Sequence, residues 1–452
     1  MEILKKQFFG IFLLTVISIG CSTSNTDQEA VRNLWDRHRI HYHSILCNGL
    51  DPADINGDGF WDYVTNYEDD GNIIISVHPG LEKVKEKWPT LTIGSVPSNE
   101  SSCFGDFDGD GNPDVASGHG DQGEGGAYSG VLMYWHPGKE KVMDDEAWIE
   151  AGDIPESLNM GQYLFIRGKD INSDGALDIV IGGRRLGSVD KDDPNDPIVG
   201  LRWIEAPKAK SDRRDLSKWK VHPIDPDLIS GHGFYLADVD GDGDTDVVNA
   251  NNDWGTPEGG QYVMWYRNPG QDAAQNQQWE RFNLYHGNDF YTKPGIICKD
   301  LDGDGRNDIL TNVNNYIYYF HNEGGETPDF NLIKIEKPEY ARWRTRPIQM
   351  ADIDGNGKMD VCVGLIHHDG LLPADVASIM WMEYTGETPT ADNWKFHVIK
   401  WGDGADLGRR FRGEKWDNFI FRDVDRDGDL DLVANCEEYT ELGVEWFENP
   451  LK

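Results

Sequence analysis

The sequence predicts an all-β fold, a seven-bladed β-propeller, on three observations. A nine-residue acidic pattern, D-x-D-x-D-G-x-x-D with Asn replacing Asp at three places, occurs seven times, starting at Asp54, Asp106, Asp170, Asp238, Asp300, Asp352 and Asp423. Each copy lies between two short apolar runs, and a segment alternating apolar and aromatic residues follows it, closed by Pro or Gly. Finally, the chain ends are complementary. The last unit stops one segment short, and a segment of the missing type precedes the first acidic loop.

Taken in order, the chain opens with Lys5 and Lys6, an apolar run over residues 8–19, then Gly20, Cys21 and the polar Ser22, Thr23, Ser24 and Asn25. The run is too short to span a bilayer and has the form of an export signal. A small residue before Cys21 resembles a bacterial lipoprotein cleavage site, with Cys21 as the lipidated residue and simple secretion as the alternative. The domain division is therefore a signal peptide over 1–20, a short tether over 21–30, and one propeller over 31–452. Localisation follows as an exported lipoprotein of the bacterial envelope, in the outer membrane on its periplasmic or surface side.

The seven loops carry the most specific chemistry. Their positions 1, 3, 5 and 9 are Asp54, Asn56, Asp58 and Asp62; Asp106, Asp108, Asp110 and Asp114; Asp170, Asn172, Asp174 and Asp178; Asp238, Asp240, Asp242 and Asp246; Asp300, Asp302, Asp304 and Asp308; Asp352, Asp354, Asn356 and Asp360; Asp423, Asp425, Asp427 and Asp431. Hard oxygen donors around one point, with a Gly at position 6 for a sharp turn, are the ligand set that Ca²⁺ selects. Start-to-start spacings of 52, 64, 68, 62, 52 and 71 residues are blade-sized, far longer than a calcium β-roll repeat. An EF-hand would need a twelve-residue loop ending in Glu, which is absent.

Around each loop the strands are legible. One apolar run precedes it (234–237, 295–298, 348–351) and another follows (247–248, 309–310, 431–433). The third strand has period two and a Pro or Gly stop, as in YVMWYRNPG over 262–270 and GVEWFENP over 443–450. A fourth opens with an aromatic anchor: Trp88, Trp148, Trp219, Trp279, Phe330 or Trp394. The seventh unit ends at Lys452 with no fourth strand, while Trp35, His38 and Ile40 match that pattern ahead of the first loop. An N-terminal strand completing the last blade would close the ring and remove its free edges.

Composition excludes several classes. With 42 basic and 80 acidic residues the formal charge is −38, which disfavours nucleic acid and direct contact with an anionic bilayer. Membrane contact is expected through the lipid anchor only, and the chain is expected to be a monomer. Of the 28 loop ligand positions 25 are carboxylates, so bound cations would cancel much of the charge. No nucleophile elbow, H-E-x-x-H helix or P-loop is present. Cys47, Cys103, Cys298, Cys362 and Cys436 lack metal-site spacing and are expected as buried thiols, with a Cys47–Cys103 disulfide as the alternative.

Seven such loops, each followed by an aromatic strand ending in N-P or P-G, resemble the FG-GAP or VCBS repeat family over nearly all of 31–452. These are calcium-loop propellers akin in design to the integrin head. The resemblance implies fold and cation but not one activity, since members include adhesion modules, polysaccharide lyases and sugar dehydratases.

If the acidic loops occupy one face, ligands bind at the other. Counting back from each loop places Asn48, Glu100, Tyr163, His232, Lys293, Arg346 and Asp417 where the innermost strands enter the channel. Loops leaving the second strands add Asn66, His119, Arg184, Arg185, Asn251, Trp254, Asn314, His367, His368, Glu437 and Glu438, with Tyr235, Tyr291 and Arg344 nearby. Basic residues gathered on one face of an acidic protein suit an anionic oligosaccharide or polysaccharide. The function expected is β-elimination on uronate-containing oligosaccharides by a lyase or dehydratase. Arg346 and Lys293 would bind the carboxylate, His232 would take the proton, and Tyr163 or Tyr235 would donate one. His119, Arg184, Arg185, Asn251, Trp254, Arg344 and His367 would bind substrate. A non-catalytic calcium-dependent binding or adhesion propeller is the alternative, and a polar channel mouth is also what solvent alone would favour. A transition metal on His119, His367 and His368 is a further alternative.

Overall fold

The computed structural model describes residues 35–44, 46–120, 128–184, 197–253, 260–288, 295–342, 344–366, 375–386, 390–402, 414–437 and 442–451. These form seven antiparallel four-stranded sheets arranged as the blades of a propeller. The innermost strands of blades 1 to 7 are Cys47–Ala53, Ser101–Gly105, Gln162–Lys169, Phe234–Ala237, Ile296–Lys299, Arg344–Ala351 and Trp416–Arg422. Six blades are continuous in sequence. The seventh takes its outer strand from the N-terminus, where Asp36–His41 pairs with Gly443–Glu448, Arg37 opposite Phe447 and His38 opposite Trp446. The His38 ring packs at a tilt on the Trp446 indole, centroids 4.5 Å apart, and its Nε2 meets Glu448 at 2.9 Å. Closure thus covers an edge whose Val444 and Trp446 are fully buried.

The core lies between blades. Facing sheets interdigitate, as where Cys103, Met133 and Trp135 of blade 2 meet Ile166, Ile179 and Ile204 of blade 3. Four aromatic anchors, Trp88, Trp148, Trp219 and Trp279, are buried; truncating such an indole costs about 3–5 kcal/mol. The Trp219 indole N–H donates to the Arg213 carbonyl at 2.8 Å, which satisfies its one polar atom. All five cysteines of the propeller are free and buried. Cys47 and Cys103 sit in separate core clusters, so the disulfide alternative is not realised.

Each acidic loop holds the first two strands of its blade together in the same way. The position-2 residue is apolar and buried (Ile55, Phe107, Ile171, Val239, Leu301, Ile353, Val424). Its N–H donates to the position-9 carboxylate, from Ile55 to Asp62 at 2.9 Å and from Val239 to Asp246 at 2.8 Å. The other oxygen of that carboxylate accepts the N–H at the end of the third strand, from His78 to Asp62 and from Asn268 to Asp246. Positions 4 and 6 both take the left-handed backbone, as at Gly241 (φ 79°) and Gly243 (φ 94°).

In five of the seven blades the residue at the end of the third strand also joins neighbouring blades. His136 Nε2 donates to the Ile55 carbonyl of the preceding blade at 2.9 Å, while its Nδ1 accepts from Gly138 N–H at 3.0 Å. His78 does the same toward Val424 and Gly80. Asn268, Asn322 and Asn449 repeat it with Nδ2 donating to Ile171, Val239 and Ile353, and Oδ1 accepting from Gly270, Gly324 and Leu451. Histidine and asparagine are interchangeable here because the 1,3 nitrogens of a neutral imidazole present an acceptor and a donor much as a carboxamide does.

Candidate functional site

The acidic loops supply one set of candidate residues. In the loops starting at Asp106, Asp238, Asp300 and Asp352, oxygens from positions 1, 3 and 9 lie within 4.8 Å of one another. Position 5 instead caps the turn, as where Asp242 accepts the Asp244 N–H at 2.8 Å. Burial, helped by the neighbouring loop carboxylates, pushes Asp246 up to about 7 and Asp178 up to about 8. Carboxylates crowded and dehydrated in this way are stabilised in the ionised form by a hard cation, so the residues fit Ca²⁺. Where position 3 is Asn, its carbonyl oxygen can replace a carboxylate: Asn56 Oδ1 accepts the Asp58 N–H at 2.9 Å.

The second set surrounds the channel, a cavity of about 760 Å³ running between the innermost strands. At the face opposite the loops, Asn48, Glu100, His232, Arg346 and Asp417 line it. Arg346 is the hub. Its guanidinium pairs with Asp417, meets Glu437 at 2.8 Å, and donates to His232 Nε2 at 2.5 Å. Since guanidinium has only donors, His232 Nε2 is the acceptor and carries no proton. Glu100 lies 3.8 Å from the same nitrogen and accepts from Gln162 Nε2 at 3.1 Å. Arg184 donates to Gln162 Oε1 at 2.6 Å, Lys415 pairs with Glu437, and Asn48 donates to Glu68 at 3.2 Å. Burial and the nearby Glu100 push Glu68 up to about 7.

The segment carrying His232 is fixed by backbone packing. Gly231 N–H donates to the Gly183 carbonyl at 2.8 Å, and a Cβ on Gly231 would meet the Gly200 carbonyl oxygen at 2.2 Å. Gly233 takes φ 71°. The two glycines therefore shape the turn and present His232 to the cavity.

Several expected site residues lie elsewhere. Tyr163 is fully buried between blades 2 and 3, with its hydroxyl donating to the Ser157 carbonyl. The strand shifts register between Tyr163 and Phe165, and Leu164 lines the cavity in its place, while Gln162 is buried between Glu100 and Arg184. Tyr163 is therefore a core residue, and the proton-donor role falls away. Tyr235 does line the cavity, where burial pushes it up to about 12. His119 is buried in blade 2, Nε2 against Asp153 at 2.7 Å, and does not line the cavity. Asn251 is buried, its carboxamide without a partner among the described residues. Arg344 begins the inner strand of blade 6, opposite Ile366. Cys21, Arg185, Trp254, Tyr291, Lys293, His367, His368 and Glu438 lie outside the described residues.

The other end of the channel holds residues that the expectation missed. Arg167, Lys169, Lys299 and Arg422 line the cavity beside the acidic loops, with Asp51, Gln349 and Asp352. A signal was present in the sequence: Lys169, Lys299 and Arg422 stand immediately before, respectively, Asp170, Asp300 and Asp423.

Residues 54–117 and 300–363 match the FG-GAP-like repeat profile. No curated protein matches the chain significantly. Among solved structures, BBS1N in complex with ARL6DN is similar at 11% identity and TM-score 0.48, covering 93% of this chain and 98% of that one. A lectin of Agrocybe aegerita, described as recognising non-reducing terminal N-acetylglucosamine, is similar at 15% identity and TM-score 0.43, covering 88% and 85%.

Proposed function

We propose, for a chain that carries FG-GAP-like repeats in a seven-bladed propeller, that calcium in the acidic loops stiffens one face while the opposite channel mouth binds a hydroxyl-rich ligand of the carbohydrate class. One observation carries the reading: Glu100, His232, Arg346 and Asp417, from four different blades, converge on one end of one cavity, and Gln162 of a fifth blade braces Glu100 from behind. Planar carboxylate, carboxamide, guanidinium and imidazole groups held by one another offer the fixed donors and acceptors that neighbouring sugar hydroxyls need. Export and anchoring through Cys21 at a bacterial envelope belong to the same proposal, on the strength of the segment around Lys5, Lys6 and Gly20.

A second reading, β-elimination on a uronate, is favoured by the contact between His232 and Arg346. The unprotonated His232 Nε2 would serve as base only after Arg346 swings away, and Arg346 would bind a substrate carboxylate only by exchanging it for Asp417 or Glu437. Among the described residues every cation at the mouth already has a carboxylate or carboxamide partner. Binding therefore ranks ahead of elimination.

Calorimetric titration of the calcium-saturated protein with neutral and uronate oligosaccharides tests the first reading. A ligand should be found whose affinity falls about tenfold or more in His232→Ala, the loss of one hydrogen bond to a charged or desolvated partner. No binding across the panel, or unchanged binding in His232→Ala, overturns it. Ultraviolet absorbance of an unsaturated uronate product decides the second reading, which fails without product or with full activity in His232→Ala.

A further inference from the structure

We propose that the channel end beside the acidic loops is an oxyanion site, in which Arg167, Lys299 and Arg422 bind a sulfate, phosphate or carboxylate group. The three come from blades 3, 5 and 7 and line the same cavity. Their charges are held but not neutralised. Arg167 lies over the Phe165 ring at 4.1 Å and donates Nη1 to its neighbouring Ile166 carbonyl at 2.8 Å. Arg422 lies over the Trp61 indole at 4.8 Å and donates Nη1 to the Phe421 carbonyl at 2.8 Å; its Nε is buried without a partner among the described residues. Lys299 Nζ donates to Gln349 Oε1 at 3.3 Å and the Met350 carbonyl at 3.1 Å. Among the described residues none of the three forms an ion pair, although Lys299 and Arg422 each precede a loop aspartate directly.

Two carboxylates share this end. Asp51 accepts the Phe104 N–H at 2.9 Å, and Asp352 accepts the Gly357 N–H at 2.9 Å as the first residue of an acidic loop. Arg167 and Arg422 both act on Asp51, and Arg422 acts on Lys299, so the groups lie within electrostatic reach of one another. Burial pushes Asp51 up, which weakens it as a counter-charge. Guanidinium groups held over aromatic rings keep N–H donors beyond the one given to the backbone carbonyl, and these suit charge-assisted contact with an oxyanion. The cavity is continuous from the mouth to this end, which gives an anion its route. The expected anion site thus moves from the paired cations of the mouth to the unpaired cations of the channel floor.

Sulfate, which stays soluble with calcium, is the first probe, and glucuronate the second. Titration of the calcium-saturated full chain at fixed chloride should show saturable binding of one anion. Arg167→Gln and Arg422→Gln should each weaken it about tenfold or more, as loss of a charge-assisted contact requires. Melting temperatures without anion show that the variants are folded. Binding of sulfate supports a free tetrahedral oxyanion; binding of glucuronate alone supports a carboxylate carried on a glycan. Failure of the wild type to bind either probe, or wild-type affinity retained in both variants, overturns the site. Sulfate reports on it whether or not the mouth takes a sugar.

Discussion

Replacing His136 tests the joint between blades most directly. In His136→Leu the imidazole's bonds to the Ile55 carbonyl and the Gly138 N–H are both lost. Two net hydrogen bonds at about 1 kcal/mol each, plus about 1–3 kcal/mol for a carbonyl left dry between blades, give about 3–5 kcal/mol. At roughly 2.1 cal/mol/K per residue, the folded chain unfolds with an entropy of about 0.9 kcal/mol/K, so the melting temperature should fall by about 3–6 °C. His136→Asn should retain most of the stability, because Asn268, Asn322 and Asn449 make the same pair of bonds in their own blades. The pH dependence adds an independent check. Burial lowers the pKa of His136, outweighing the bond to the Ile55 carbonyl, which favours the protonated ring. A group depressed in the folded state contributes stability above its unfolded value, about 6.5, that is lost as pH falls below it. The gap between wild type and His136→Asn should therefore shift toward the Asn variant on acidification, followed by calorimetric melting from about pH 7.5 to about pH 5. An Asn variant as damaged as the Leu variant would refute the carboxamide equivalence.

Two further outcomes are expected of the acidic loops. Chelation should lower the melting temperature, because each occupied site contributes about 2.7 kcal/mol when calcium is a hundredfold above its dissociation constant; an unchanged melt would mean the loops carry no ion. In chelator, Asp178→Ala should cost about 2–6 kcal/mol by stranding the buried Ile171 and Ala206 N–H groups. Asp174→Ala, which loses one turn contact to Ala176, should cost much less, and equal falls in melting temperature would show that the position-9 carboxylate does not hold the loop.

The mouth shows how far local pattern reaches. His232, Arg346, Asp417, Glu100 and Asn48 were placed at the cavity by counting back from the loops, and they line it. Tyr163 failed the same count because a single register shift in its strand exchanges the faces of successive residues, so Leu164 lines the channel and Tyr163 packs into the core. The third-strand stops were legible as turns. Their His and Asn side chains bond residues 81 to 346 positions away in sequence, a role that no turn signal carries.

What the sequence determined is the repeat: seven loops of cation-ligand type, strands of period two, and an N-terminal strand that supplies the piece missing at the other end. These are properties of short segments and of spacing, which the chain carries with it in any conformation. Only the closed ring decided which charges meet. Arg346 finds Asp417 and Glu437, 71 and 91 residues distant, on the neighbouring blade, and is neutralised there. Among the described residues Arg167, Lys299 and Arg422 come together around the channel floor without forming an ion pair, with the buried Asp51 in reach. Basic residues look alike in sequence, and their availability depends on which carboxylates the curvature of the propeller brings within reach.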